Sequence, residues 1–257
     1  MWNPKIISVN DDNSVDPLNL IKSGQIPALI FKNFYPHESC DKVSNRVEEY
    51  YSENKFGDKK IGASLVSLRN DKGRYFKMAD SNRTIIRSIF HGIQDPRKKI
   101  HSEIKKIAKI ESIDIAKECS SRYACGVIRI HNKESKSSLH RDNVNFEAPN
   151  FIVSKLENQV SFVLPFQSSS KGGELEIFHQ SWEPKDEKFR RIDFGYYDDV
   201  IMPNTESVSI KPTKGDLIII NPNFYHRIKP VLGGRLRITL NMFGGFIPGK
   251  NEILTWS

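Results

Sequence analysis

The chain has 257 residues, of which 38% are hydrophobic and 27% charged, a make-up that suits one globular domain, because barrels commonly run to ~250 residues as a single unit. No apolar run approaches the ~18 uncharged residues of a membrane span, and Met1-Trp2-Asn3-Pro4-Lys5 lacks the basic-then-apolar order of a signal peptide, so a cytoplasmic location without a membrane partner is expected. Against 31 acidic residues, 39 Lys and Arg leave a formal charge of +8. The lysines are scattered and none is interleaved with aromatics as a base-stacking groove requires, which disfavours nucleic acid as a partner. Cys40, Cys119 and Cys125 form an odd, widely spaced set with no CxxC pair, which argues against a disulfide framework and a structural zinc site.

In chain order, the first twenty residues are polar, with Asp11, Asp12, Asn13 and Ser14 reading as turn or loop. Residues 25–34 predict a short strand, and Pro36-His37-Glu38-Ser39 opens a helix in which Cys40, Val43, Val47 and Tyr50 recur at helical spacing. Residues 54–81, rich in Gly, Lys, Asp and Ser, read as loop with one short strand at 63–68. Ile85, Ile86, Ile89, Phe90 and Ile93 then form an apolar helical stripe, which Asp95-Pro96 interrupts and Ile100, Ile104 and Ile107 resume. From Tyr123 the pattern changes to short β-branched and aromatic runs bounded by Gly, Pro, Asn and Asp, at 123–130, 151–154, 159–166, 173–178, 207–210, 216–220, 225–230 and 235–243. Strands in this number with no long helix between them predict a mainly β fold with flanking helices, either an antiparallel barrel or a double-sheet jelly roll.

His140-Arg141-Asp142 ends a polar loop, 132–139, that follows a strand. An extended His-x-Asp turns both side chains to the same side, because strand side chains alternate, although the tripeptide is common. A second histidine, His226, follows the apolar 216–220 run and the turn Asn221-Pro222-Asn223. Two imidazoles and one carboxylate on one face of a metal leave three positions open, the arrangement of non-haem Fe(II) oxygenases. Beyond it the 235–243 run alternates: Leu236, Ile238, Leu240 and Met242 on one face, Arg235, Arg237, Thr239 and Asn241 on the other. Two arginines pointing into a barrel are costly if unpaired and call for an anionic ligand; the competing reading is an edge strand with a wet face.

With these elements in this order, the chain resembles the Fe(II)/2-oxoglutarate-dependent oxygenases, in the motif layout of their prolyl-hydroxylase-like branch. The matching features are His140-x-Asp142, the Gly172-Gly173-Glu174-Leu175 turn, Gly215-Asp216-Leu217-Ile218 leading to His226, and Arg235 followed by Thr239. The strand at Ile26-Pro27-Ala28-Leu29 and the helix bearing Cys40-Asp41 resemble that branch's lead-in. The resemblance implies a double-stranded β-helix (jelly-roll, cupin-like) fold in a single domain, 1–257. An N-terminal strand and helical shell would occupy 1–120, and the double-stranded β-helix core 121–257, with an insertion at about 179–207.

It further implies that His140, Asp142 and His226 hold Fe(II), that Arg235 meets the distal carboxylate of 2-oxoglutarate bidentately with Thr239 adding a hydroxyl, and that O2 is the oxidant. Arg237 is the alternative for the carboxylate, or a substrate contact. The tyrosine that helps bind this carboxylate in hypoxia-pathway prolyl hydroxylases has no counterpart in 160–164, which leaves Ser161, Tyr123 and Arg129 as secondary candidates. The chain is also similar to the small stand-alone alkaloid halogenases of the superfamily, in length and in the 182–189 stretch. Those enzymes replace the metal-binding carboxylate by a small residue so that chloride can occupy the position; Asp142 is retained here, so hydroxylation is expected over halogenation.

The 179–207 connection, with Trp182, Phe189, Phe194, Tyr196 and Tyr197 beside Asp186, Asp193, Asp198 and Asp199, reads as a substrate lid or an insertion packed by its own aromatics. Arg129, Asn158 and Trp182 are the candidate substrate contacts. The expected activity is hydroxylation of an unactivated C–H bond of a small metabolite, a free amino acid or a natural-product scaffold, with release of succinate and CO2. Peptidyl hydroxylation is the alternative within the enzyme class, and a metal-free jelly-roll binding module the alternative outside it.

Overall fold

The computed structural model describes residues 1–7, 16–53, 60–192 and 194–257. The expected turn at Asp11, Asp12, Asn13 and Ser14, residues 54–59 of the expected loop, and Asp193 lie outside these residues.

Apolar runs without alternation mark strands covered on both faces. Leu217–Ile220, sequence Leu-Ile-Ile-Ile, is buried throughout. Leu217 and Ile219 enter the core beneath the helices, while Ile218 and Ile220 enter a second core between two sheets. The neighbouring strand Ala28–Phe31 divides in the same way, Leu29 and Phe31 to one side, Ala28 and Ile30 to the other.

Both belong to a nine-stranded sheet in which Lys5–Ile7, Ala28–Phe31, Leu217–Ile220, Glu157–Gln167 and Arg237–Phe246 lie side by side. The far edge of Arg237–Phe246 is shared. Residues 237–241 pair with Val127–His131, which carries Lys60–Ile61 on its other side, and residues 243–246 pair with Glu252–Trp256, followed by Ser112–Ile115. Opposite lies an antiparallel four-stranded sheet in the order Ser207–Ile210, Leu175–Ser181, Phe224–Ile228, Ser137–His140. The result is the mainly β jelly roll that the resemblance implies, with the large sheet open rather than closed into a barrel. The helices His37–Glu53, Lys72–Ile89 and Pro96–Ile107 flank it, sending Cys40, Val43, Val47, Ile86, Ile89, Ile100 and Ile104 into the core. No helix among the described residues is long and apolar enough to cross a membrane.

Several stretches correct the reading of local pattern. The helix Lys72–Ile89 begins inside the polar segment read as loop, because the Asp71 side chain accepts from the Arg74 N–H and Tyr75 and Ala79 bury in a side cluster with Tyr123 and Phe151. Val66–Leu68 and Ile152–Lys155 are single 3-10 turns, not strands. Ser137–His140, read as loop, is an edge strand whose polarity reflects its half-exposed face. Pro17–Lys22 forms a short helix in the polar N-terminal stretch. The division at residue 120 is crossed, since Lys5–Ile7, Ala28–Phe31 and Ser112–Ile115 are strands of the large sheet. The thiols of Cys40, Cys119 and Cys125 are free.

Candidate active site

Strand register brings the three candidate ligands together. His226 lies directly opposite His140 in the smaller sheet, which sets their ring centroids 4.2 Å apart. Asp142, two residues beyond the strand end, donates its backbone N–H to Pro222 O (2.8 Å) and brings its Oδ2 to 3.5 Å from His226 Nε2. One ligand atom from each of the three lies within 4.8 Å of the others. Each imidazole Nδ1 sits at hydrogen-bond distance from a carbonyl two residues upstream, His140 to Ser138 O (2.7 Å) and His226 to Phe224 O (2.9 Å). A carbonyl can only accept, so Nδ1 carries the proton and Nε2 keeps its lone pair for a metal. Burial by itself would raise the Asp142 carboxyl, but the polar contact with His226 and the fields of His140, His226 and Arg129 outweigh it and hold the pKa at about 2. Burial, with His226 alongside, pushes His140 down to about 4. At neutral pH the site therefore offers an ionised carboxylate and a neutral imidazole at His140, the states that divalent-metal binding requires.

The triad lines a cavity of about 450 Å³ with walls from both sheets. Arg237 reaches this cavity although only 2% exposed. Its Nε donates to Gly173 O (3.1 Å) and one terminal nitrogen lies 3.5 Å from Thr239 Oγ1, with no carboxylate paired to it among the described residues. Burial, together with repulsion from Arg129, lowers its pKa to about 10, which still leaves it charged at neutral pH. A buried charge left without a counter-ion costs several kcal/mol, so a guanidinium held facing a cavity is a docking point for an anion. Its approach depends on Gly173, whose φ is +76° and where a Cβ would lie 3.1 Å from Arg237 Cδ and 2.7 Å from Ser169 Oγ. Gly173→Ala is expected to displace Arg237 and weaken 2-oxoglutarate binding about tenfold, or ~1.4 kcal/mol, with metal affinity retained, as read by calorimetric titration of each.

This distribution of the expected cosubstrate residues differs from that implied by motif spacing. Arg235 is exposed, precedes the strand Arg237–Phe246 and does not line the cavity. The preceding turn docks on the 171 region, with Leu232 N–H donating to Lys171 O, so the inward alternation starts at Arg237. Thr239 is fully buried behind the wall; its hydroxyl donates to Asn241 Oδ1 (2.7 Å) on the same face as Arg237, and Asn241 lines the cavity. Ser161 also lines it, whereas Tyr123 packs among Tyr75, Phe76 and Phe151 and donates to Glu118. Of the candidate substrate contacts Arg129 is on the wall, Asn158 is exposed elsewhere, and Trp182 packs outside the cavity. Alternation from Arg129 points to His131 and from Thr239 to Asn241, both wall residues. Phe194 arrives from the 179–207 connection read as a lid, whereas Lys60 and Lys136 come from separate segments and nothing in their local sequence marks them.

Behind the triad, Arg141 ties the 182–200 segment to the ligand loop. Its side chain is fully buried: one terminal nitrogen donates to Glu147 (2.8 Å), the other lies 3.4 Å from Glu187, and the guanidinium stacks 4.2 Å from the Trp182 ring. Glu187 also accepts from Trp182 Nε1, Tyr196 Oη and Arg190. The segment then returns beside His140 through Gly195, where a Cβ would lie 2.3 Å from Leu139 O, and places the Phe194 ring 5.2 Å from that of His140, on the cavity wall. Breaking a buried ion pair costs about 3–5 kcal/mol, and Glu147 keeps Arg190 as a partner. Arg141→Ala is therefore expected at the lower end, ~3 kcal/mol, in chemical denaturation.

Comparison with known proteins agrees with this geometry. The family described as carrier-protein-independent halogenase WelO5 matches residues 7–257. Leucinostatins biosynthesis cluster protein S of Purpureocillium lilacinum is 24% identical over 229 residues, 82% of this chain and 90% of that protein. The L-gamma-glutamyl-L-propargylglycine hydroxylase of Streptantibioticus cattleyicolor is 30% identical over 120 residues, 46% of this chain and 44% of its own length. Among solved structures, the N-substituted L-amino acid dioxygenase of Burkholderia ambifaria superposes with a TM-score of 0.64 at 11% identity, covering 93% of this chain and 90% of that one, which shows a shared fold.

Proposed function

Since the chain belongs to the WelO5 family, within the Fe(II)/2-oxoglutarate-dependent dioxygenases, we propose that it hydroxylates a small metabolite, an amino acid or amino-acid derivative or a natural-product scaffold. The observation that carries this reading is Asp142. A carboxylate held ionised between two imidazoles fills the coordination position that a halide would need. The metal-free binding module is set aside by the family.

In this reading His140, Asp142 and His226 hold Fe(II), and Arg237 takes the distal carboxylate of 2-oxoglutarate, the role expected of Arg235. The donor set fits: one carboxylate, two imidazoles with Nε2 unencumbered, and a buried guanidinium lacking a counter-ion. When bound, iron and 2-oxoglutarate supply O2-dependent oxidation of a C–H bond with release of succinate and CO2. The chain's own residues bind, orient and enclose. The Ser138 and Phe224 carbonyls fix the imidazole planes, Thr239 and Gly173 aim Arg237, and the Phe194 ring flanks His140 on the cavity wall. A substrate derived from an amino acid draws support from the hydroxylase and dioxygenase relatives.

The test is succinate release with Fe(II), 2-oxoglutarate and O2 across a library of amino acids and small metabolites, with products weighed by mass spectrometry in the presence and absence of chloride. Gain of one oxygen irrespective of chloride is expected. A chlorinated product would overturn hydroxylation in favour of the second reading, halogenation, which the family match supports.

A further inference from the structure

The cavity holds more positive charge than metal and cosubstrate use. Lys60, Arg129 and Thr239 are cross-strand neighbours, Lys60 opposite Arg129 and Arg129 opposite Thr239, which sets Arg129 one diagonal step from Arg237. Lys60, Arg129, Lys136 and Arg237 all line the cavity, and Asp142 is the single acidic residue on its wall among the described residues. Arg129 makes no hydrogen bond or ion pair among the described residues, and its electrostatic neighbour is Asp142.

Given the iron and 2-oxoglutarate reading, the charges pair off. Asp142 and the chelating carboxylate of 2-oxoglutarate balance Fe(II), and the distal carboxylate balances Arg237. Arg129 is left over, opposite Lys60 in the strand register, and the acidic residue on the cavity wall among the described residues, Asp142, is committed to the metal. A solvent-exposed guanidinium with no ion pair among the described residues, on a cavity wall that also carries apolar residues such as Leu175, Phe194 and Ile228, matches a ligand with one carboxylate and an apolar body. A free ammonium on that ligand would share the wall with Lys60, Arg129, Lys136 and Arg237.

We propose that Arg129 anchors the substrate, and that the substrate is a carboxylic acid whose amine is absent or masked, an N-acylated amino acid rather than a free amino acid or a basic scaffold. A planar guanidinium suits this because its paired N–H groups meet both carboxylate oxygens and fix the direction of the rest of the molecule relative to the metal.

The experiment is equilibrium binding, by calorimetry without oxygen, of N-acetyl-L-leucine and N-acetyl-L-phenylalanine to the enzyme loaded with Fe(II) and 2-oxoglutarate, each beside its primary amide and its free amino acid. The acids are expected to bind at least ~tenfold more tightly than either counterpart, as the loss of a charge-assisted contact predicts. Arg129→Met is expected to erase that preference while 2-oxoglutarate affinity stays within about twofold. Absence of binding by the acids, equal binding of the amides or free amino acids, or a preference that survives Arg129→Met overturns the proposal. So does a fall in 2-oxoglutarate affinity in Arg129→Met matching that in Arg237→Leu, which would assign Arg129 to the cosubstrate. The acid-to-amide ratio is read on the unmodified protein and without turnover, so failure of the oxygenase reading, seen as absence of succinate, registers separately.

Discussion

Arg237→Leu is expected to raise the 2-oxoglutarate requirement by about 100-fold or more while Fe(II) remains bound. Two hydrogen bonds to a charged group at ~1.5–3 kcal/mol each set this scale, and neither Gly173 nor Thr239 can replace a guanidinium toward a carboxylate. The ligand-free protein behaves in the opposite sense. With no counter-ion on Arg237, leucine removes an uncompensated buried charge, so the apo variant should unfold at the same temperature as the parent or a higher one. Saturating the parent at 100 times its Kd should add about 2.7 kcal/mol of stability, and the variant should show almost none of it at the same concentration. Arg235→Leu is the matched control: being exposed and off the cavity, it should leave both quantities unchanged. A large effect from Arg235 with none from Arg237 would reverse the assignment.

Asp142→Ala should abolish succinate formation and lower divalent-metal affinity at least 100-fold, beyond the 10- to 100-fold typical of losing only a ligand's supporting partner. The fold should survive, because among the described residues the Asp142 side chain has no ion pair other than that with His226, and its backbone bond to Pro222 persists. Manganese titration followed by calorimetry reads the metal, and circular dichroism the fold. Asp142→Asn sharpens the test by keeping shape while removing charge, and it should share most of the loss. Turnover that persists in both variants would show that the carboxylate is not a ligand.

Much of the site is legible in the chain because its chemistry is written in residue type. His140, Asp142 and His226 are marked by a His-x-Asp beside a strand and a histidine beyond an apolar run, and the alternation of 235–243 announces an inward cationic face. What alternation leaves open is where a strand begins. Arg235 and Arg237 share parity, so the pattern treats them alike, and only the turn docked on the 171 region places the first ladder pair at Arg237 opposite His131. The same ambiguity hid Lys72–Ile89, whose first turns are polar and are helical through a cap and a distant aromatic cluster.

Residue pattern was enough to mark a mainly β chain, three candidate metal ligands and a cationic strand, because period-two apolar patterning and the donor set of His and Asp are local properties. Tertiary structure was needed to show that Arg237 and not Arg235 lines the cavity, that Arg129, Lys60 and Lys136 share it, and that Arg141 ties the 182–200 segment to the loop bearing Asp142. Those depend on register and on contacts between residues far apart in the chain, and for Arg237 and Arg141 burial converts an ordinary surface charge into one that requires a partner.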